Sequence, residues 1–370
     1  MLRSQRARPG RIAVVASLVA IVAAGATYAI LSRPETEPPT EPGVLLCRYN
    51  QFSQSTEQRE QGFLQTMQNE FPHINVLASV QYLGTTRETS VRRARQLFET
   101  FGDSVRGIFC VCEPNGDGML QVLVETDRAG KIPFVSCDAN AAMIAALKDG
   151  KMAGIVLQDP VKMGRETVET MLAHLRGEEV TPRVQTGQHL ATSDNMESDR
   201  IRPLLYPDRF GGETVEPTDP KFTIAVVTKG LTHEFWQSVR AGAEKAARDA
   251  GDVAIRFEAP TLEQDLAGQI ELFRRLIAER VSGICISPID SEKLVPLVIK
   301  AKAKGIPTVV FDSGLNDEAL YDGESAKVSY VATNNYEVGA IAARRLAEAL
   351  DQSPGRDPAT SHSDTEVVGK

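Results

Sequence analysis

Two aspartates are among the residues of this sequence best placed to bind a small ligand. Asp138 and Asp312 each end a short apolar run that begins with Ile-Pro, in GKIPFVSCDA and KGIPTVVFDS. A carboxylate at the end of a buried strand can accept hydrogen bonds from a ligand, although a single one more simply caps the next helix. Because the two occur at matching places, we favour a shared cleft.

A second candidate group is aromatic. His233, Phe235 and Trp236 lie in the loop and helix start that follow another apolar run. Neighbouring helical residues point about 100° apart, so the two rings cannot both face one core. We expect one ring to face a cleft, where a flat aromatic surface suits the C–H face of a sugar ring. The alternative is that Trp236 packs beneath a loop.

Arg59 and Gln158 complete this set of candidates. Arg59 stands near the start of a predicted helix, in STEQREQGF, where its charge opposes the helix dipole. A fork of donors aimed at ligand hydroxyls would explain that placement, and a solvated surface arginine is the alternative. Gln158 ends the apolar run AGIVLQ, from which its amide could reach the same cleft.

Motifs of catalysis and metal binding are absent from the sequence. It contains no G-x-S-x-G, Walker, G-x-G-x-x-G or H-E-x-x-H pattern. Cys110 and Cys112 fall on one strand face, but no histidine or second cysteine pair completes a zinc site. We therefore expect a binding protein that is not an enzyme and uses no metal or cofactor. The five cysteines are odd in number and lie in apolar runs, which predicts buried small side chains and no disulfide framework.

Composition and charge narrow the class of partner. The 370 residues are 42% apolar and 24% charged, as in folded soluble proteins, and the net charge is −8. Nucleic-acid binding needs clustered Lys and Arg, which are missing outside the N-terminus. A small neutral or cationic ligand fits this charge better.

The N-terminus has the pattern of a targeting segment. Four arginines precede an uncharged apolar run at residues 12–31, long enough to span a bilayer and also compatible with a cleaved signal peptide. Residues 32–42 and 211–220 are rich in Pro, Glu and Thr and are predicted to be linkers. Everything beyond the first segment should then lie outside the cytoplasm.

The elements that position these residues follow one repeating pattern. Between and after the predicted linkers, short β-branched runs alternate with helix-period segments, which is typical of βαβ units around a parallel sheet. Phe222 to Thr228 is predicted as a strand, followed by a helix that ends at Gly251. Capping boxes are predicted at Thr85 with Glu88 and at Thr261 with Gln264.

Longer stretches resemble the ribose-binding-like, type I periplasmic sugar-binding proteins. KFTIAVVTKGLTHEFWQSVRAGAEKAA, GICISPIDSEKLVPLVIKAKAKGIPTVVFDSGL and YVATNNYEVGAIAARRLAEAL are similar to the family's N-terminal half. STEQREQGF and the segment from IPFVSCDAN to HLRGEEV resemble its C-terminal half. The halves stand in reversed order, so the sequence looks like a circular permutant, with residues 211–220 joining the family's ordinary termini. A fragment of two tandem modules or a rearranged gene is the alternative.

The resemblance implies two Rossmann-like lobes, each a parallel sheet flanked by helices, joined by a hinge that the chain crosses three times. The crossings would fall near residues 332–335, near 159 and near 183–185. One lobe would then contain residues 159–184 and 221–333, and the other residues 43–158, 185–206 and 334–370.

The resemblance also implies the roles of single residues. The family's aromatic sandwich falls on Phe235 and Trp236. Ser313 stands where ribose binders often have Arg, and Cys112 or Glu113 where they have Asn, which puts ribose itself in doubt. The polar contacts to the sugar fall on His233, Asp312, Arg59, Asp138 and Gln158.

The function implied is capture of a monosaccharide between the lobes and delivery to an ABC-type sugar transporter. A membrane-anchored sugar-sensing module that acts on a signalling partner is the alternative. The protein is expected in the periplasm or another extracytoplasmic space, either free or held to the inner membrane by residues 12–31. Its expected partners are the sugar and a permease or sensor protein, and no nucleic acid.

Overall fold

The computed structural model describes residues 41–51, 53–207, 218–316, 318–320 and 325–352. The predicted signal or anchor at residues 1–31, and most of the predicted linkers at 32–42 and 211–220, lie outside the described residues. Across the described ranges, no helix is both long enough and apolar enough to cross a membrane.

The first sheet is mostly parallel and has the strand order β2-β1-β3-β4-β5-β7. Its last strand, β7, pairs antiparallel with β5. The strands are β1 (Gly43–Arg48), β2 (Val76–Tyr82), β3 (Val105–Cys110), β4 (Phe134–Cys137), β5 (Gly154–Gln158) and β7 (Gln188–Ala191).

The second sheet repeats this build. Its order is β9-β8-β10-β11-β12-β6. When the strands are counted along the chain from β1 in the first sheet and from β8 in the second, both sheets place them in the order second, first, third, fourth, fifth. All of its pairs are parallel, including the pair of β6 with β12. The strands are β6 (Arg183–Gln185), β8 (Phe222–Val227), β9 (Val253–Glu258), β10 (Gly283–Ile286), β11 (Thr308–Phe311) and β12 (Ser329–Ala332).

Helices cover both faces of each sheet. The predicted helix after β8 ends at Gly251 as expected, because a left-handed backbone (φ 78°) suits glycine there. The helices are α1 (Gln54–Glu70), α2 (Arg87–Phe101), α3 (Glu113–Glu125), α4 (Ala141–Lys148), α5 (Pro160–Leu175), α6 (Arg202–Leu205), α7 (Glu234–Ala250), α8 (Leu266–Glu279), α9 (Val295–Ala303) and α10 (Asn335–Asp351).

The predicted fold class, two sheets flanked by helices in two lobes, is confirmed. We call the first sheet with its helices lobe A, and the second sheet with its helices lobe B. The chain passes from lobe A to lobe B between β5 and α5 and returns between β6 and β7. It enters lobe B again before β8 and returns to lobe A between β12 and α10. Helix α10 thus follows a strand of lobe B but packs on α1 of lobe A, and α5 packs on α7 of lobe B.

These two helix pairs depend on the same close packing. A Cβ built on Gly164 of α5 would lie 1.9 Å from the carbonyl oxygen of Val239, and one on Gly339 of α10 would lie 1.9 Å from that of Arg59. No side chain fits in such a gap. Glycine therefore lets each crossing helix lie directly against the backbone of its partner.

The core of each lobe lies on both faces of its sheet. In β1, Leu45 and Cys47 pack into one cluster, whereas Val44 and Leu46 pack into the other. A strand that is buried on both sides consists of a continuous apolar run, and such runs predicted the strands from the sequence. All five cysteines are buried, as expected.

Both predicted capping boxes are wrong in detail. Helix α2 is capped by Thr86, whose hydroxyl bonds the backbone of Thr89, one residue later than predicted. Helix α8 begins after Asp265, whose carboxylate accepts from the backbone of Gly268. In each case another polar residue nearby caps the helix, and Thr85 and Gln264 make a different contact, described below.

Candidate functional site

Arg59 lies in a buried polar cluster of lobe A at the carboxyl ends of β4 and β5. Its side chain donates to the carbonyl of Val111 and to Asn335 Oδ1, both at 2.8 Å, and its Nη1 lies 3.4 Å from Asp138 Oδ2. Gln158 Nε2 also donates to both carboxylate oxygens of Asp138, at 3.0 and 3.1 Å. Arg59 is therefore a buried donor of the cleft and not a solvated surface residue.

Asp312 holds the corresponding place in lobe B, at the end of β11. Its Oδ2 accepts from Ser287 Oγ and from Lys229 Nζ, both at 2.9 Å. Lys229 also donates to Ser313 Oγ at 2.6 Å and reaches the hydroxyls of Ser53 and Ser55, which belong to lobe A. Lys229 and Asp312 are 5% and 4% exposed, so the pair is shielded from water.

A third cluster is centred on Glu263, in the loop after β9. His233 Nδ1 lies 2.9 Å from Glu263 Oε1, and Trp236 Nε1 donates to the same oxygen. Tyr49 of lobe A donates its hydroxyl to Glu263 Oε2. Beside this group, Thr85 of lobe A donates to Gln264 of lobe B, so the lobes touch across the cleft at two neighbouring points.

The two aromatic residues have different surroundings. Trp236 is 4% exposed and packs in the core of lobe B, in agreement with the alternative that this ring is buried. Its indole nitrogen also donates to Glu263. Phe235 lines a cavity between the lobes, as expected for the ring that faces the cleft. Their rings meet edge to face with centroids 4.8 Å apart, so in this arrangement they touch each other and do not flank a gap.

The positions where the sequence departs from ribose binders are also in the cleft. Ser313 Oγ donates to Ser55 Oγ at 3.0 Å across the lobes. Cys112 Sγ bonds Asn115, and its side chain is buried. Glu113 begins α3 and accepts from Asn140 Nδ2 at 3.2 Å. All the predicted site residues thus lie at the facing ends of the two sheets.

Burial and neighbouring charges shift the protonation of these groups. Burial raises the pKa of Asp138 even though Arg59 and Gln158 oppose the shift. Burial also raises the pKa of Glu113 to about 7, and His233 lowers it only in part. Burial alone would lower the pKa of His233, but its hydrogen bond and charge interaction with Glu263 outweigh that effect and raise it.

Sequence reasoning missed Lys229 and Glu263. Lys229 stands two residues after β8, the same kind of strand-end position that singled out the aspartates, so position could have indicated it. Glu263 follows an edge strand by five residues and has no such signal. Within the described residues, no group of three or more His, Cys, Asp and Glu side chains is arranged to hold a metal ion.

Comparison with known proteins places the chain in a family. The sequence matches the profile described as "Periplasmic binding protein domain" over residues 24–179 and 224–364. The chain therefore belongs to this family, and the resemblance to type I periplasmic sugar-binding proteins is confirmed. The circularly permuted order of the halves stays a prediction.

Characterised relatives match only part of their length. The D-allose-binding periplasmic protein of Escherichia coli (strain K12) is 32% identical over 131 residues, which are 35% of this chain and 42% of that protein. A ribose import binding protein of Bacillus subtilis (strain 168) is 29% identical over 147 residues, 40% of this chain and 45% of that protein. The chain thus spans less than half the length of these relatives.

Solved structures share the fold over most of the chain. A glucose-galactose binding protein from Geobacillus stearothermophilus superposes with a TM-score of 0.56 at 15% identity, covering 86% of this chain and 94% of that one. A periplasmic solute-binding protein from Actinobacillus succinogenes 130z, with bound D-allose, gives 0.54 at 14% identity, covering 85% and 94%. At such identities the likeness shows the two-lobed fold alone.

Proposed function

We propose that the chain is a solute-binding protein that takes a monosaccharide between its lobes, without catalysis, and delivers it to an ABC-type sugar importer. The observation that carries the proposal is the matched pair of strand-end aspartates. Asp138 and Asp312 each present a carboxylate with a buried cationic partner, Arg59 in one lobe and Lys229 in the other. Alternating carboxylates and cationic donors suit a ligand whose hydroxyls both donate and accept.

Binding requires the lobes to separate. The cavity lined by Asp138, Gln158 and Phe235 measures about 30 Å³. That volume holds roughly two water molecules, whereas ligand pockets are typically ~300–1,000 Å³. The sugar would enter an opened cleft, and the lobes would close on it about the three crossing segments.

The first experiment is titration calorimetry of the purified protein with D-allose, D-ribose and D-glucose, the sugars in the names of relatives and of similar structures. Asp138→Ala should weaken the affinity for the sugar that binds by about tenfold or more, because a buried hydrogen bond to a charged group is lost. Asp149→Ala is the matched control, since Asp149 has a side chain 59% exposed. Equal affinity in the wild type and Asp138→Ala would remove Asp138 from the site.

Trp236 gives an independent optical test, since it is the only tryptophan. Its indole donates to Glu263, which also accepts from Tyr49 of the opposite lobe. Opening and closing of the cleft should therefore change its environment and its fluorescence. A sugar that binds by calorimetry yet leaves the emission unchanged would contradict closure at this point.

Periplasmic location and delivery to a permease follow from the same proposal. The family's description supports the location, and the sugar importers among the relatives support the partner. Uptake of the labelled sugar by cells with and without this gene tests delivery. Normal uptake without the gene, together with a lost transcriptional response to the sugar, would favour the sensing alternative.

A further inference from the structure

The polar groups that line the cavity between the lobes are mainly hydrogen-bond acceptors, and they stand among apolar side chains such as Leu157 and Leu204. Lobe A contributes carboxyl and amide groups, and lobe B contributes a carboxyl group, a hydroxyl and an aromatic ring. The polar and aromatic lining residues are Glu113, Asp138, Gln158, Glu234, Phe235 and Ser238. Such a lining is suited to a ligand group that donates several hydrogen bonds.

One acceptor in this lining has no donor, and its orientation is fixed. Gln158 is 3% exposed, and its Nε2 donates to both oxygens of Asp138. Turning the amide over would set its oxygen against that carboxylate, so Oε1 must point away from Asp138. No donor among the described residues reaches Gln158 Oε1. A buried acceptor left in this state is costly unless a ligand supplies the donor.

Glu113 adds a second acceptor of the same kind. Its Oε1 accepts from Asn140, but within the described ranges no donor reaches its buried Oε2. Burial raises the pKa of Glu113 to about 7; His233 and Asn140 lower it, and the charges of Asp138 and Glu234 raise it further. A cation in the cavity would stabilise the ionised carboxylate against the cost of burial.

Among the residues that the structure describes, the cations near the cavity are already engaged. Arg59 donates to Asn335 and to the carbonyl of Val111, and Lys229 donates to Asp312 and to serine hydroxyls. His233 is bonded to Glu263. A ligand that brings its own donors would satisfy both acceptors.

Resting on the proposed function, we infer that the sugar is an amino sugar, and that its ammonium group binds in this cavity between Glu113 and Gln158, against the ring of Phe235. An ammonium has three donors, enough for Glu113 Oε2, Gln158 Oε1 and one more acceptor, whereas a hydroxyl has one. An aromatic face also attracts a cation. The net negative charge of the chain favours the same class of ligand.

The test compares each hexosamine with its parent hexose by titration calorimetry near neutral pH. The probes are glucosamine with glucose, galactosamine with galactose, and mannosamine with mannose. At least one amino sugar should bind about tenfold or more tightly than its parent. Glu113→Gln, which keeps the side-chain shape, should weaken binding of the amino sugar far more than binding of the parent hexose and so remove most of that preference. Glu125→Gln, at the exposed end of the same helix, is the matched control.

Three results would overturn the inference. In the first, every parent hexose binds as tightly as its amino sugar, which leaves the proposed sugar-binding function intact. In the second, Glu113→Gln weakens binding of the amino sugar and of its parent hexose equally, which would show that the carboxylate does not distinguish an amino group from a hydroxyl. In the third, ethanolamine, an ammonium without the ring, binds as well as the hexosamine. Absence of binding by any sugar would instead overturn the proposed function itself. If Glu113→Gln does not fold, the comparison of amino sugars with parent hexoses on the wild-type protein still tests the inference.

Discussion

Asp138 and Asp312 occupy equivalent places in the two lobes, down to the backbone. Each follows the fourth strand of its sheet, and each has a left-handed backbone, with φ of 62° and 59°. The backbone N–H of each donates to the neighbouring fifth strand, to Val156 and Val331, both at 3.0 Å. A positive φ is uncommon outside glycine, although aspartate tolerates it better than most residues. The repeated conformation turns both carboxylates toward the cleft.

Lys229→Met should destabilise the protein strongly, because it leaves the Asp312 carboxylate buried without its cation. Losing one partner of a buried ion pair typically costs about 3–5 kcal/mol. Urea unfolding measures the change in unfolding free energy, with Lys245→Met as the control, since Lys245 and Asp249 form an exposed pair. Adding Asp312→Asn to Lys229→Met should restore part of the loss. A Lys229→Met variant as stable as the control would contradict this account of the pair.

Gly164→Ala and Gly339→Ala should each separate a crossing helix from its partner. The added methyl group would meet a backbone carbonyl at 1.9 Å, which a rotamer change cannot relieve. We expect a loss of about 1–3 kcal/mol or more in each case. Lys162→Ala, at an exposed position of α5, should stay within about 0.5 kcal/mol of the wild type. Thermal unfolding of the three variants is the measurement, and tolerance of both glycine changes would show that the helices can move apart freely.

The pair of His233 and Glu263 should stabilise the closed cleft within a defined pH window. Burial opposes ionisation of Glu263, but its bonds to His233, Tyr49 and Trp236 hold its pKa below the usual 4.5, so its contribution is present above 4.5 and is lost as the pH falls through the lowered value. The pKa of His233 is raised above 6.5, so its contribution is present below 6.5 and is lost as the pH rises through the raised value.

His233→Gln should therefore cost more stability at about pH 6 than at about pH 9. The measurement is the difference in unfolding free energy between wild type and variant across that range. His174→Gln, at the exposed end of α5, is the control. An equal dependence on pH in the two variants would show that the pair contributes nothing through charge.

We infer that the two halves of the family's chain are exchanged in this protein. Leu350, near the end of α10, packs in the same apolar cluster as Val44 of β1. The Cβ position of Gly107 lies 3.1 Å from Leu346 of α10 and 3.2 Å from Val44. The end of the last described helix thus lies close to the start of the first described strand, as a short connection between them would require.

A re-ordered chain tests this inference. Residues 218–352, joined by a short linker to residues 43–207, should fold into the same lobes with nearly the same sugar affinity. A second re-ordering that is cut inside β11 is the control and should fail, because it breaks a buried strand. Circular dichroism and calorimetry provide the readouts. Failure of the first re-ordered chain to fold would contradict the permutation.

Local patterns were sufficient for the strands, most helices and both strand-end aspartates. Apolar runs such as β1 and β11 are buried on both faces, so composition alone marks them. Asp138 and Asp312 could be singled out because ligands of open parallel sheets bind beyond the carboxyl ends of the strands, whichever helices pack on the sheet. Helix starts were less certain, since several polar residues compete for one cap. Thr85 and Gln264, both predicted as members of capping boxes, bond each other across the cleft instead.

The sequence by itself determined the strands of both sheets and the aspartate at the end of one strand in each, because apolar runs and the residues that end them are local features. Only the tertiary structure decided that Lys229 and Glu263 complete the cleft. Their partners Ser55 and Tyr49 lie 174 and 214 residues away in the chain, in the opposite lobe. Burial of a charge depends on which distant segments cover it, and no local pattern carries that information.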